Sequence, residues 1–145
     1  MHKTSDNIGF HYLIKGFSFG RRQACKDFIR QLFKREKTRL ESLTYIFCDD
    51  HYLLEINRQY LQHDYFTDII SFDLSEPGAP VTGEIYISID RVRDNARQHQ
   101  ESFQRELHRV IFHGALHLCG YKDKTPKEEK QMRAKEEEYL DRYFG

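Results

Sequence analysis

LTYIFCDDHYLLEINRQY, residues 43–60, changes character at a pair of aspartates. Ahead of the pair, residues 43–48 are crowded with β-branched and aromatic side chains, which suit a pleated surface and predict a strand. Behind it, Leu53, Leu54, Ile56, Asn57 and Tyr60 continue as a helix, and Asp49 or Asp50 supplies the side-chain oxygen that caps it. A strand that feeds a helix is the unit of a layered α/β domain, and the stretches on either side repeat it.

Upstream, residues 8–15 read as a first strand, with Phe10, Tyr12 and Ile14 alternating with more varied residues before Gly16. Ser18 then offers a cap for a helix over residues 19–37. In it Ala24, Phe28, Leu32 and Phe33 recur at helical spacing beneath a basic outer face that includes Arg21, Arg22, Lys34 and Arg35. Downstream, residues 68–74 and 84–89 are two more strand-like runs, parted by SEPGAP at 75–80, where proline and glycine exclude regular structure. Asp90 caps a helix to about residue 100, Ser102 starts a long one that stops at Gly120, and Thr125 and Pro126 open a charged helix to about residue 143. Met132, Tyr139, Leu140 and Phe144 give this last helix an apolar stripe. The expected fold is α/β (α+β): a small mixed four-stranded sheet layered with about five helices, as a single domain over residues 1–145.

Lysine plus arginine equals aspartate plus glutamate at 23 each, so no global positive field marks a nucleic-acid binder, and a polyanion must be held by a local patch. No apolar run is long enough to span a bilayer, and residues 1–6 lack the order of a secretory signal, so a soluble cytoplasmic protein without membrane association is expected. Cys25, Cys48 and Cys119 are odd in number and form no C-x-x-C pair, which argues for reduced, packed thiols.

The long helix ends in HGALHLCGYKD, residues 113–123. Residues i and i+4 share a helix face, so His113 and His117 can offer ring nitrogens to one ion. Gly120 can stop the helix in a left-handed cap and swing Asp123 back toward the same point. Three N/O ligands with an open position describe a catalytic zinc site, in which a metal-bound water is the candidate reactive group. Cys119 lies two residues past His117, well around the helix, and is expected in the core. Gly114 stands where zinc proteases of the H-E-x-x-H kind carry their general base, and no carboxylate is there to do that work.

The string at 113–121 resembles the H-G-x-L-H-L-x-G-Y-D-H signature of the YbeY family of bacterial endoribonucleases. NRQY at 57–60, Asp64 and TDIISF at 67–72 resemble that family's N-x-x-Y-R-x-x-D-x-P-T-D-V-L-S-F, and GEIYIS at 83–88 its G-D-I-x-I-S strand. The resemblance implies a metal-dependent, single-strand-specific endoribonuclease that holds one Zn²⁺ per chain and acts in 16S rRNA 3′-end maturation and ribosome quality control. Ribosomal RNA and the ribosomal small subunit are the implied partners. His113 and His117 match the first two ligands, and the family's terminal His falls at Asp123, a carboxylate that can still ligate zinc and should relax selectivity toward Mn²⁺.

The family's Arg after the Tyr is Leu61 here, which leaves Arg58, Lys122 and Lys124 as candidates to meet the phosphate. Arg58, Asp68 and Ser71 are candidate catalytic side chains, with backbone capping as the competing role for Asp68 and Ser71, and His63 in the loop is a candidate to assist proton transfer, with a solvent-exposed imidazole as the competing role. Two other functions share the ligand spacing: a zinc-dependent amide or peptide hydrolase, and a non-catalytic ribosome assembly factor with a structural metal.

Overall fold

A computed structural model describes residues 7–145; the stretch 1–6, read above for a leader, lies outside the described residues. The chain runs through β1 (Ile8–Tyr12), α1 (Arg22–Arg35), β2 (Leu40–Cys48), α2 (Asp50–Leu61), β3 (Ile69–Asp73), β4 (Val81–Ser88), α3 (Ile89–Gln98), α4 (Phe103–Leu118) and α5 (Pro126–Phe144). The four strands form one sheet in the order β1-β2-β4-β3, with β2 parallel to both β1 and β4 and β3 antiparallel to β4. This is the mixed sheet with five helices that the sequence predicts. Among the described residues no helix is long and apolar enough to cross a membrane.

Both faces of the sheet are covered, unequally. The main core joins Leu43, Tyr45, Phe47, Ile85 and Ile87 of the central strands to Ile29, Leu32 and Phe33 of α1 and to Leu107, Ile111, Phe112 and Ala115 of α4. A smaller cluster of Cys48, Leu53, Ile56 and Ile70 seats α2. At Gly114 a Cβ would stand 2.8 Å from Ile85 Cδ1 and 3.0 Å from Ile69 Cδ1. The glycine therefore lets α4 press onto the sheet, which fixes where the last turns of α4 emerge.

Several local expectations are corrected. β1 ends at Tyr12, three residues early, and β2 begins at Leu40, three residues before the aromatic run. Ser18 caps nothing: Phe19 is buried, and α1 starts only after Arg21 has taken a left-handed φ of 56°. The buried stripe of α1 is Cys25, Ile29, Leu32 and Phe33, which leaves Ala24 exposed. Asp90 does not cap α3. Ser88, the last residue of β4, accepts the Arg91 amide at 3.2 Å and donates its hydroxyl to Asp50 at 2.7 Å, so the helix leaves the strand directly. Phe144 is 46 % exposed and not part of a buried stripe. The caps at Asp49, Ser102 and Thr125 form as expected, the last as a reciprocal capping box with Glu128.

Candidate metal centre

Leu107, Ile111, Phe112, Ala115 and Leu116 bury one side of α4, so His113 and His117 lie together at the margin of that face. Both are half-buried and open on a groove. After Leu118 the helix closes with Gly120 at φ 105°, and the amides of Gly120 and Tyr121 return to the carbonyls of His117 and Leu116, each at 3.0 Å. Tyr121 then donates its hydroxyl to Glu36 at 2.8 Å, anchoring the turn to the end of α1. Two residues on, Asp123 Oδ2 stands 3.3 Å from His113 Nε2 and 3.2 Å from His117 Nε2.

These two separations, which are also those of histidine–carboxylate ion pairs, fit the edges of a coordination shell. Tetrahedral ligands at about 2.0–2.2 Å from zinc stand about 3.3–3.6 Å from one another, and the observed distances sit at the short end of that edge. One donor atom from each of the three residues lies within 4.8 Å of the others, so the group can hold a metal ion.

A residue the sequence reading missed holds the other nitrogen of His113. Glu136 of α5 is 5 % exposed and accepts the Nδ1–H of His113 at 2.6 Å, so in the neutral ring Nε2 is the nitrogen left to ligate. Arg109 lies beside the same carboxylate, Nη1 to Oε1 3.6 Å, and pairs with Glu137 at 2.9 Å. Burial pulls the His113 pKa down, but the hydrogen bond and charge of Glu136, joined by Asp123 and Asp68, overrule it and leave the imidazole with a raised value. The signal for Glu136 was present in the sequence. It stands four residues after Met132 and three before Tyr139, a carboxylate inside an apolar stripe.

The groove in front of the three residues has a volume of about 620 Å³, and Asp68, Ser71 and Lys124 line it. Asp68 enters β3 half-buried; its carbonyl accepts the Ser88 amide at 3.0 Å and its carboxylate accepts from Asn95 at 3.4 Å. Burial raises its pKa against the pull of His113. Arg58 and Lys122 do not line the groove. Arg58 points along the outside of α2, donating to Asp64 at 2.6 Å and to Glu55 at 2.9 Å. A larger concavity of about 720 Å³ lies elsewhere, by Tyr52, Tyr60 and Tyr86, but none of the three ligand-type residues lines it. Donor chemistry, and not size, singles out the groove.

The family described as Endoribonuclease YbeY matches residues 17–144 of this chain. A protein named Endoribonuclease YbeY from Cytophaga hutchinsonii is 50 % identical over 124 residues, covering 86 % of this chain and 87 % of the relative. One of the same name from Flavobacterium psychrophilum is 48 % identical over 133 residues, covering 92 % and 94 %. Among solved structures, the solution structure of a protein from Thermotoga maritima superposes with a TM-score of 0.67 at 29 % identity, covering 95 % of this chain and 89 % of that one.

Proposed function

This chain belongs to the endoribonuclease YbeY family, and from that premise we propose that it is a zinc-dependent enzyme that cuts single-stranded RNA. We further propose the 3′ end of 16S ribosomal RNA as its substrate, ribosome quality control as part of its work, the ribosomal small subunit as its partner and the cytoplasm as its location. The observation that carries the metal-dependent part is the coordination-shell spacing of His113, His117 and Asp123, built by one helix end and the turn after it.

In this reading the three residues hold one ion through Nε2 of each histidine and Oδ2 of Asp123. When bound, the ion neutralises charge on a phosphoryl oxygen and makes a water more acidic. Glu136 keeps His113 in the ligating tautomer. Lys124 meets a neighbouring phosphate from the groove wall, a charge-assisted contact that Arg58, paired with two carboxylates, is not placed to make. Asp68, whose pKa is raised, is the groove carboxylate suited to carry a proton to the leaving oxygen, and Ser71 lies beside it on β3.

The peptide-hydrolase reading loses support at Gly114. The space a side chain would need there is filled by Ile85 and Ile69, so that position faces the sheet and not the groove. The structural-staple reading needs a fourth protein ligand, and among the described residues the cluster has three and opens on the groove.

The test is incubation of the purified chain with single-stranded ribosomal RNA, with and without a chelator and beside His117→Ala. Cleavage by wild type alone, lost in both other arms, is the expected result. Cleavage that persists in chelator and in His117→Ala overturns the metal mechanism.

A further inference from the structure

Between α2 and β3 the chain forms a loop over residues 62–68 whose backbone is tied down while its rings are left in solvent. Gln62 turns left-handed at φ 56°, and the His63 amide donates to the Asn57 carbonyl at 3.1 Å. Asn57, itself 1 % exposed, donates its side-chain amide to the Tyr65 carbonyl at 2.8 Å. Arg58 holds Asp64 between them. On this fixed backbone the rings of His63 and Tyr65 stack with centroids 5.0 Å apart and planes 21° from parallel. The Tyr65 hydroxyl and His63 Nδ1 are hydrogen-bonded at 3.0 Å. Yet Tyr65 is 56 % exposed, and both rings line the same groove as His113, His117 and Asp123.

Without an ion, that groove offers a polyanion few phosphate contacts. Lys124 is its single lysine or arginine among the described residues, against Asp68, Asp73 and Asp123. Contact with the bases can add to the affinity for an RNA strand, since every base presents a flat π-face that a fixed aromatic ring can stack on. Only an unpaired strand can turn such a face outward. The ordering of the rings is already done in the free protein, so little of the stacking energy is lost on binding.

We infer that the His63–Tyr65 pair is a nucleobase platform, which stacks one base of an unpaired RNA strand beside the metal triad and does so with little regard to base identity. This deepens the nuclease reading and rests on it.

The experiment is fluorescence anisotropy with the full chain in chelator, using a short single-stranded oligoribonucleotide and a sugar–phosphate strand of equal length that lacks the bases. Tyr65→Leu should weaken binding of the oligoribonucleotide roughly five- to a hundred-fold while leaving the baseless strand unchanged. Tyr65→Phe, which keeps the ring, should stay within about two-fold of wild type. Because a stack releases no counterions, the salt dependence should be the same for wild type and Tyr65→Leu. A Tyr65→Leu chain that binds RNA like wild type, or that loses both strands alike, overturns the platform. Cleavage by metal-loaded wild type is followed in parallel. If wild type cuts RNA but binding ignores Tyr65, the platform alone fails; if binding depends on Tyr65 but nothing is cut, the nuclease reading alone fails; if wild type binds no RNA, both fall.

Discussion

His113 can serve an ion through only one nitrogen, because Glu136 already holds the other at 2.6 Å. Removing that carboxylate frees the ring to flip or to take the other tautomer. Glu136→Ala should therefore weaken zinc affinity about 10–100-fold, while Glu136→Gln, whose carbonyl still accepts the Nδ1–H, should keep most of it. Competition titration against a chromogenic chelator measures both; unchanged affinity in Glu136→Ala would assign the pair to packing alone. His113, His117 and Asp123 were legible in the sequence because their geometry is local, a helical repeat followed by a glycine stop. Glu136 was not, because it comes from another helix, and only the tertiary fold pairs it with His113. Arg58 is the opposite case: its position on α2 suggested a phosphate contact, but its charge is taken by Glu55 and Asp64, neighbours three and six residues away along the chain.

Among elements, the turn from α4 to α5 matters most to the site, since it alone brings Asp123 to the histidines. Gly120 at φ 105° has no neighbour within 4 Å of where a Cβ would sit, so Gly120→Ala tests backbone strain without a clash. The substitution should lower stability by about 1–3 kcal/mol in urea unfolding and weaken metal binding as the turn relaxes. An alanine variant as stable and as tightly metal-bound as wild type would show that the turn does not depend on this conformation. Most elements were legible from periodicity and caps. The errors fall where two cap-type residues compete or where tertiary packing decides. Ser88 outcompetes Asp90 because β4 runs straight into α3, and Asp90 instead accepts the Asp50 amide at 3.0 Å. α1 starts late because Phe19 is needed in the core.

At the scale of the whole molecule, His108 ties the end of α5 to α4. It is 4 % exposed, donates Nδ1–H to the Gln104 carbonyl at 2.7 Å and stacks on Tyr143 at 4.8 Å. Burial lowers its pKa below the ordinary 6.5. In the window from about 6.5 down to that lowered value the unfolded chain binds the proton and the folded one does not, so this contribution to stability is fully present above the window and is lost as pH falls through it. Urea unfolding at about pH 7.5 and about pH 5 should show wild type losing more stability than His108→Phe, since carboxylate titrations common to both cancel. Equal losses would remove His108 from the pH response. The same fold sets α4 against the sheet, opens the groove along its end and leaves the nuclease claim to one titration. Zinc is returned stepwise to the chelator-treated chain, and cleavage of single-stranded ribosomal RNA is followed at each step for wild type and Asp123→Ala. Cleavage should rise from none to a plateau at one ion per chain, with Asp123→Ala shifted to far higher zinc; full cleavage in chelator, or superimposed titrations of the two proteins, would contradict the account.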